Sequence, residues 1–445
     1  MGKDIISNSI AKIPRHILVS MSAWGSRGIM AALSFVNIPL IVSLIGLEDH
    51  EIYVLAASLA GWYYLIDLGL GSALQNIIST CRVQKKDYFA YIVNAIFLIL
   101  SAFLLVTFTL WILADVMGQM LLQKYASITQ LEKGSLFLEI SILLMLLGSS
   151  NIINRIWYGE QRGYLSNLVP ALGYVISFLL LEIIAQRKVD TSVAQVILIW
   201  YLPVCTIQMV LLFHRLKTIG SSACLQCIKK DILMKLWMNC KGFWLFAFLS
   251  VVTLQINYII MSQFVYDNGM VVYNLVDKLM NLSFFVYTAI LSALWPVFTE
   301  CFSQNNWSKV LGYCRRYIML GVLVVVVCVL FSVQFMPYIA NLLLHGNYVE
   351  INSWFIVMFG IYYIMRVWTD TFAIILQSRN NMRPFILMVP LQAFFSVVFQ
   401  YYLVTDYGIY GILGGLMLSY ILTVVWYLPY KVYCYYKKEM KMVVD

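Results

Sequence analysis

Charged residues are scarce in this sequence. Only 11% of the 445 residues are charged, while 62% are hydrophobic. Soluble domains are about 25% charged and about 45–50% apolar. This composition therefore excludes collagen, disulfide-rich secreted modules, disordered regulators and large soluble enzymes. It indicates an all-α polytopic membrane protein.

Several functional signatures are also missing. No Walker sequence is present, so no P-loop ATPase is expected. The four histidines lie at the ends of apolar segments or between them, which argues against a histidine proton relay. Cys224 and Cys227 form the only close cysteine pair and have no second pair nearby, so neither a metal site nor a cofactor is expected. The polar run 48–51 is interpreted as a solvated acidic turn.

Long apolar segments, in contrast, run through the whole chain. A membrane span needs about 20 apolar residues, and the sequence contains about 12 such segments. The predicted spans are 17–45, 52–79, 89–113, 135–158, 164–186, 192–214, 242–266, 270–299, 313–335, 351–377, 384–404 and 408–430.

The distribution of lysine and arginine predicts the orientation. With a cytoplasmic N-terminus, the inner segments hold 22 of the 30 Lys and Arg residues, counting Arg315 and Arg316 at the inner end of the span 313–335. The outer segments hold 4, and 4 lie deeper within spans. Cytoplasmic loops carry the excess of Lys and Arg in membrane proteins. Both termini are therefore predicted to be cytoplasmic. The net charge of +9 is explained by topology, and no nucleic-acid partner is expected.

The chain is predicted to divide into two related halves. The basic connector 215–241 lies at its middle, which predicts an N-lobe over 1–220 and a C-lobe over 221–445, with six helices each. The run 64–67 resembles 274–277 at an offset of 210 residues, and 155–157 resembles 366–368 at an offset of 211. Two parallel six-helix repeats enclose a central cavity.

Charged residues inside the predicted spans are the candidate site. A buried charge costs about 2.5–3.5 kcal/mol on insertion scales and marks function or pairing. The four intramembrane cations are Arg27, Arg155, Lys278 and Arg366, and the deep acids are Asp67 and Asp277. Arg27 ranks first because it lies about 15 Å into its span.

Two interpretations of these charges stay open. The cations could form structural ion pairs, for example Arg27 with Asp67. Alternatively, their excess over the acids could create a cationic cavity that binds phosphate, because guanidinium groups engage phosphate oxygens in pairs. Asp67 and Asp277 are candidates either for coupling transport to a proton or sodium gradient or for structural pairing.

Three short motifs resemble a known family. They are Asp67-Leu68-Gly69-Leu70-Gly71-Ser72-Ala73-Leu74, Gly159-Glu160-Gln161-Arg162 and Leu294-Trp295-Pro296-Val297-Phe298. Together with the number of spans they are similar to the bacterial O-antigen and polysaccharide flippases (Wzx-type). These belong to the multidrug/oligosaccharidyl-lipid/polysaccharide exporter superfamily.

The resemblance implies two lobes in a V shape that alternate between inward-open and outward-open states. It also implies transport of an undecaprenyl-diphosphate-linked oligosaccharide, an O-antigen or similar surface-polysaccharide unit, across the inner membrane. Arg27, Arg155, Arg366 and Lys278 would then bind the cargo. Its partners would include membrane lipids, a polysaccharide polymerase and a chain-length regulator.

Two other functions compete with this interpretation. A multidrug or cation exporter could share the fold, but it would favour an acidic cavity. An integral-membrane polymerase or glycosyltransferase would need a sizeable outer loop, whereas the longest outer connector here is about 114–134. The sequence therefore predicts a transporter without enzymatic activity.

Overall fold

The computed structural model describes residues 15–125, 128–219, 227–303, 306–344, 350–379 and 383–444. These residues are almost entirely α-helical and contain no β-strand. The predicted lobe boundary at 220/221 and Cys224 both lie outside the described residues.

Thirteen helices and one 3-10 turn make up the described chain. They are α1 (Arg15–Tyr63), the 3-10 turn (Tyr64–Asp67), α2 (Leu70–Val83), α3 (Phe89–Leu122), α4 (Gln130–Ser150), α5 (Ile152–Gly159), α6 (Gly163–Gln186), α7 (Val193–Ile219), α8 (Lys230–Phe264), α9 (Gly269–Ser303), α10 (Trp307–Leu343), α11 (Ser353–Ser378), α12 (Arg383–Leu422) and α13 (Val424–Val444).

Helices α1 and α12 are each a hairpin of two membrane crossings. Their backbones leave helical geometry at Gly46 and Gly408. The Asn37 amide donates a hydrogen bond to the Tyr53 hydroxyl at 3.1 Å, although a straight helix would separate these residues by about 24 Å. In α12, a methyl group added at Gly415 would lie 2.5 Å from the backbone nitrogen of Gln400. The chain therefore reverses at both glycines.

The predicted multi-pass membrane fold is confirmed. Nine segments of the described chain are long and apolar enough to cross a membrane. Two of them, 21–67 and 383–438, contain the hairpins. Helix α9 packs between α10 and α11 as a further crossing, so the described helices accommodate the twelve predicted spans. Large apolar side chains such as Leu104, Phe108 and Leu330 are exposed, as lipid-facing residues would be.

Two predicted spans are broken rather than continuous. The second, 52–79, is interrupted by the 3-10 turn and by Leu68 and Gly69, whose φ values of 53° and 72° are left-handed. Hydropathy could not show this break, because the flanking residues are as apolar as those of a straight helix. The fourth, 135–158, is interrupted at Asn151, between α4 and α5.

The chain forms two compact units, Met1–Phe248 and Leu249–Asp445. The boundary between them falls within α8 rather than in the connector before it. Leu236 and Cys240 of α8 are buried in a core that also contains Leu74, Ile92 and Ile156. The first half of α8 therefore packs with the first unit, and the division into lobes at 220/221 stays a prediction.

Candidate functional site

In the first unit, Asp67 and Arg155 lie on either side of Gly71. A methyl group added at Gly71 would be 2.8 Å from Arg155 Cγ and 2.8 Å from Asp67 Oδ2. The positive charge of Arg155 acts on the Asp67 carboxylate. A larger residue at position 71 would have to displace one of these two side chains. The break in the second span therefore brings one predicted acid next to one predicted cation.

Asp67 also accepts a backbone hydrogen bond at the start of α2. Its Oδ1 accepts a hydrogen bond from the backbone N–H of Gly69 at 2.7 Å. The first N–H groups of a helix have no intrahelical partner, and a carboxylate there is favoured by hydrogen bonding and by the helix dipole. Asp67 therefore stabilises the broken helix in addition to facing Arg155.

In the second unit, Asp277, Lys278 and Arg366 form one polar cluster. Asp277 lies within the continuous helix α9, and its Oδ1 accepts a hydrogen bond from the Tyr363 hydroxyl at 2.9 Å. The charges of Arg366 and of Lys278 both act on this carboxylate. The structure therefore brings together three of the residues predicted for the site.

The Arg366 guanidinium lies against aromatic rings. Its Cζ is 4.2 Å from the centroid of Phe284, 5.7 Å from that of Tyr363 and 6.0 Å from that of Tyr362. Its Nη2 lies 3.9 Å from Asp370 Oδ2. Among the described residues, its buried Nε has no hydrogen-bond partner. Cation–π contacts hold such a group in place, and one donor remains for a further acceptor.

Arg27 is exposed on α1. The neighbouring Ser22 and Ser26 are buried, and Ser22 Oγ accepts a hydrogen bond from the Asn167 amide at 3.1 Å. The cation that acts on Asp67 is Arg155, whereas the sequence offered Arg27 as the example. Arg155 and Arg366 each have a carboxylate neighbour, so the expected excess of buried positive charge is partly neutralised.

The internal repeat has a different register from the one expected. The hydrogen bond from Asn37 to Tyr53 is repeated by Asn257 and Tyr273, at 3.2 Å and an offset of 220 residues. Asp67 lies 21 residues after Gly46, or about 30 Å along the helix. Asp277 lies only 8 residues after Gly269, or about 12 Å. The two acids therefore lie at different heights within their own units.

The two arginines likewise lie at different distances from the starts of their helices. Arg155 lies 25 residues after the start of α4 at Gln130, and Arg366 lies 13 residues after the start of α11 at Ser353. The match between 155–157 and 366–368 therefore does not put the two arginines at equal distances from the starts of these helices. The charge of each arginine acts on the acid of its own unit.

A buried ion pair near the predicted outer face was missed from the sequence. Glu51 Oε2 lies 2.7 Å from Lys124 Nζ, and each side chain is only 5% exposed. The Tyr125 hydroxyl donates to the same oxygen at 3.3 Å. Burial and the negative charge of Glu51 raise the pKa of Tyr125 well above its usual range. The prediction of a solvated turn is wrong at Glu51 and His50, because the hairpin buries both.

A second ion pair joins the predicted inner ends of three helices. Glu160 Oε1 accepts hydrogen bonds from Arg215 Nη2 at 2.8 Å and from the Tyr88 hydroxyl at 3.0 Å. Burial and the charge of Glu160 raise the pKa of Tyr88. The sequence signal for this pair is Glu160 in the motif 159–162. Among the described residues, no group of three or more His, Cys, Asp or Glu side chains could hold a metal ion.

The chain is similar along nearly its whole length to curated bacterial proteins. It is 32% identical over 430 residues to the Salmonella typhi protein named "Putative O-antigen transporter", covering 97% of this chain and 98% of the relative. It is 33% identical to a Salmonella typhimurium protein of the same name, covering 94% and 97%. A Yersinia pseudotuberculosis "Putative O-antigen export protein" is 30% identical, covering 94% and 96%. No protein-family model matches.

Solved structures show the same fold. An inward-facing multidrug resistance MATE family transporter of the MOP superfamily matches with a TM-score of 0.70 at 16% identity, covering 92% of this chain and 96% of the other. The lipid II flippase MurJ in an inward closed conformation matches with a TM-score of 0.69 at 10% identity, covering 94% and 87%. The exporter fold and the near-complete similarity to curated relatives together show that this chain belongs to the O-antigen transporter family.

Proposed function

We propose that this protein is a flippase for an undecaprenyl-diphosphate-linked oligosaccharide. The cargo is an O-antigen or similar surface-polysaccharide repeat unit, and it crosses the bacterial inner membrane by alternating access. The observation that carries this proposal is the similarity to proteins named as O-antigen transporters over at least 94% of the chain. This function belongs to lipopolysaccharide biosynthesis.

The physical problem that such a protein solves is the charge of the headgroup. A charge at the bilayer centre costs several kcal/mol or more, so a diphosphate with attached sugars does not cross unaided. A transporter that exposes a polar site to one side at a time removes this barrier. The polyprenyl tail remains in the lipid throughout.

Arg27, Arg155, Arg366 and Lys278 are proposed to bind the diphosphate. Arg366 has the strongest structural support, because its guanidinium rests on Phe284 and its buried Nε has no partner among the described residues. Arginine stays charged through the cycle and can contact two phosphate oxygens. The cargo would compete with the carboxylates that now face Arg155 and Arg366, which would allow release after translocation.

The two rival functions are less well supported. A multidrug or cation exporter would use unpaired acids, whereas Asp67 faces Arg155 and Asp277 faces Arg366. A polymerase or glycosyltransferase would need an outer catalytic domain. Helix α3 ends at Leu122 and α4 begins at Gln130, so the connector at 114–134 shortens to residues 123–129. We therefore propose that the protein carries out no covalent chemistry.

The proposed location is the inner membrane, with both termini in the cytoplasm. The 22 Lys and Arg residues of the inner segments, against 4 in the outer segments, support this orientation. A polysaccharide polymerase and a chain-length regulator would act on the cargo after it reaches the outer face. Their consumption of the product would help to drive transport forward.

Asp277 is the better proposed candidate for ion coupling. The Asp67 carboxylate already accepts a hydrogen bond from the Gly69 backbone N–H at the start of α2. Asp277 instead lies inside a continuous helix, where the charges of Arg366 and Lys278 act on it. Binding a proton or sodium ion at Asp277 would release Arg366 for the cargo. If the transport rate in membrane vesicles depends on neither the proton gradient nor the sodium gradient, this coupling is contradicted.

A deletion strain tests the proposed function. It should lose long surface polysaccharide and accumulate lipid-linked repeat units at the inner face. The wild-type gene should restore export, Arg27→Ala should not, and Arg27→Lys should restore it in part. Normal export by a stably inserted Arg27→Ala, Arg366→Ala double variant would contradict the proposed cationic site. Normal export by the deletion strain, in a host without a second flippase, would contradict the proposed flippase function.

A further inference from the structure

A cavity of about 500 Å³ lies in the first unit, and no residue of the charge pairs described above lines it. Its walls come from α2, from the start of α3 and from the first half of α8. Pockets of about 300–1,000 Å³ bind small ligands in proteins. The predicted inner segments 80–88 and 215–241 both contribute to it, so the cavity lies at the predicted inner face.

The charges on the cavity walls are all positive. Lys86 and Lys235 line the cavity, and no aspartate or glutamate is among the described residues that do. Within the described chain, neither lysine forms an ion pair. An anion is therefore the ligand that these walls favour, and two ammonium groups suit a group with two negative charges.

Amides and aromatic rings complete the lining. Asn76 and Asn239 present side-chain amides, which can donate to and accept from hydroxyl groups. Tyr91 and Phe243 present rings. Lys235 Nζ lies 3.3 Å from the Tyr91 hydroxyl, which holds the ammonium group at the wall. Side-chain amides together with aromatic rings are typical of sites that bind a sugar. The two lysines are suited to binding a phosphate group.

The walls are fixed by buried contacts. Asn94 is fully buried, its amide donates to the Cys227 carbonyl at 2.7 Å, and its Oδ1 accepts from the Lys229 backbone N–H at 3.0 Å. Leu236 and Cys240 of α8 are fully buried in the core of the first unit. The cavity is therefore preformed, which lowers the cost of ordering a ligand.

We propose that this cavity receives the diphosphate and first sugar of a polyprenyl-linked cargo at the inner face, before they reach the arginine site. Lys86 and Lys235 would contact the diphosphate, and Asn76, Asn239 and the two rings would contact the sugar. This inference rests on the proposed function and adds a separate loading site to it. The same walls would accept the headgroup of an anionic phospholipid, so the test includes one.

Cysteine protection on the purified full-length protein tests the site. Asn239→Cys places a thiol in the cavity, and Met238→Cys places an exposed thiol beside it as the matched control. Maleimide labelling at each position is followed by mass spectrometry with inorganic pyrophosphate, farnesyl diphosphate or phosphatidylglycerol. With farnesyl diphosphate at about ten times its dissociation constant, labelling at 239 should slow by about tenfold. Labelling at 238 should not change.

Each outcome decides the proposal. Adding Lys86→Gln and Lys235→Gln should abolish protection at 239, and inorganic pyrophosphate should also protect, because the lysines contact the diphosphate rather than the lipid tail. Absence of protection, protection that survives loss of both lysines, or equal protection by phosphatidylglycerol would overturn the inference. If that occurs while the wild-type gene still restores surface polysaccharide to the deletion strain, the loading site fails and the flippase function stands.

Discussion

At the scale of single residues, several buried or half-buried carboxylates have a cation nearby. Burying one charge alone is strongly unfavourable, while a paired charge with hydrogen bonds is tolerated. Among the described residues, Glu51 pairs with Lys124, Glu160 with Arg215 and Asp370 with Arg366. The charge of Arg155 acts on Asp67, and that of Arg366 acts on Asp277. Asp67, Asp277 and Asp370 lie within predicted spans, whereas Glu51 and Glu160 lie near the ends of predicted spans.

The Glu51–Lys124 pair should be structural. Replacing Lys124 by Met leaves Glu51 buried without its partner, which should destabilise the protein by about 3–5 kcal/mol. The double variant Glu51→Gln, Lys124→Met should recover most of the loss. Thermal unfolding of the purified protein measures both, with Lys217→Met as the control because Lys217 is exposed. Equal unfolding temperatures for Lys124→Met and Lys217→Met would contradict this role.

The sequence predicted the candidate residues better than their partners. Asp67, Asp277, Arg155 and Arg366 were identified because charges stand out in apolar segments. The sequence could not show that Asp67 faces Arg155, because that contact depends on a break in the helix. Glu51 was missed for a related reason: its burial follows from the reversal of the chain at Gly46.

At the scale of elements, the spans were predictable and the breaks were not. Hydropathy identifies a segment by its transfer free energy, which is the same for a straight and a broken helix. The break at Gly69 instead depends on a left-handed backbone and on the approach of α8. A methyl group at Gly69 would lie 2.7 Å from the Trp244 backbone nitrogen and 2.8 Å from the Cys240 carbonyl oxygen.

Gly69→Ala should therefore weaken the packing of the first half of α8 against the start of α2. The positive φ costs a non-glycine residue about 1–2 kcal/mol, and the clash with α8 adds to it. Because Cys240 is fully buried, its alkylation by N-ethylmaleimide should accelerate by about tenfold or more. Gly242→Ala on the same helix is the control, since nothing lies within 4 Å of an added methyl group there. Equal alkylation rates in the two variants would contradict the docking of α8 at Gly69.

At the scale of the whole molecule, the two units share a repeat but not a charge pattern. The Asn–Tyr hydrogen bonds relate their first hairpins at an offset of 220 residues. The acid–arginine pairs lie about 30 Å and about 12 Å from the starts of their spans. The sequence matches at 210 and 211 therefore pair residues that lie at different positions within the two units, and short apolar matches alone could not reveal the register.

The most direct measurement is movement of the cargo across a membrane that contains only this protein. Purified full-length protein is reconstituted into liposomes that carry an undecaprenyl-diphosphate-linked repeat unit and an imposed proton or sodium gradient. A membrane-impermeant glycosidase then reports how fast the oligosaccharide from the inner leaflet becomes accessible outside. We predict rapid exposure with the wild-type protein and slow exposure with Arg366→Ala. Exposure no faster than in protein-free liposomes, under both gradients, would contradict it.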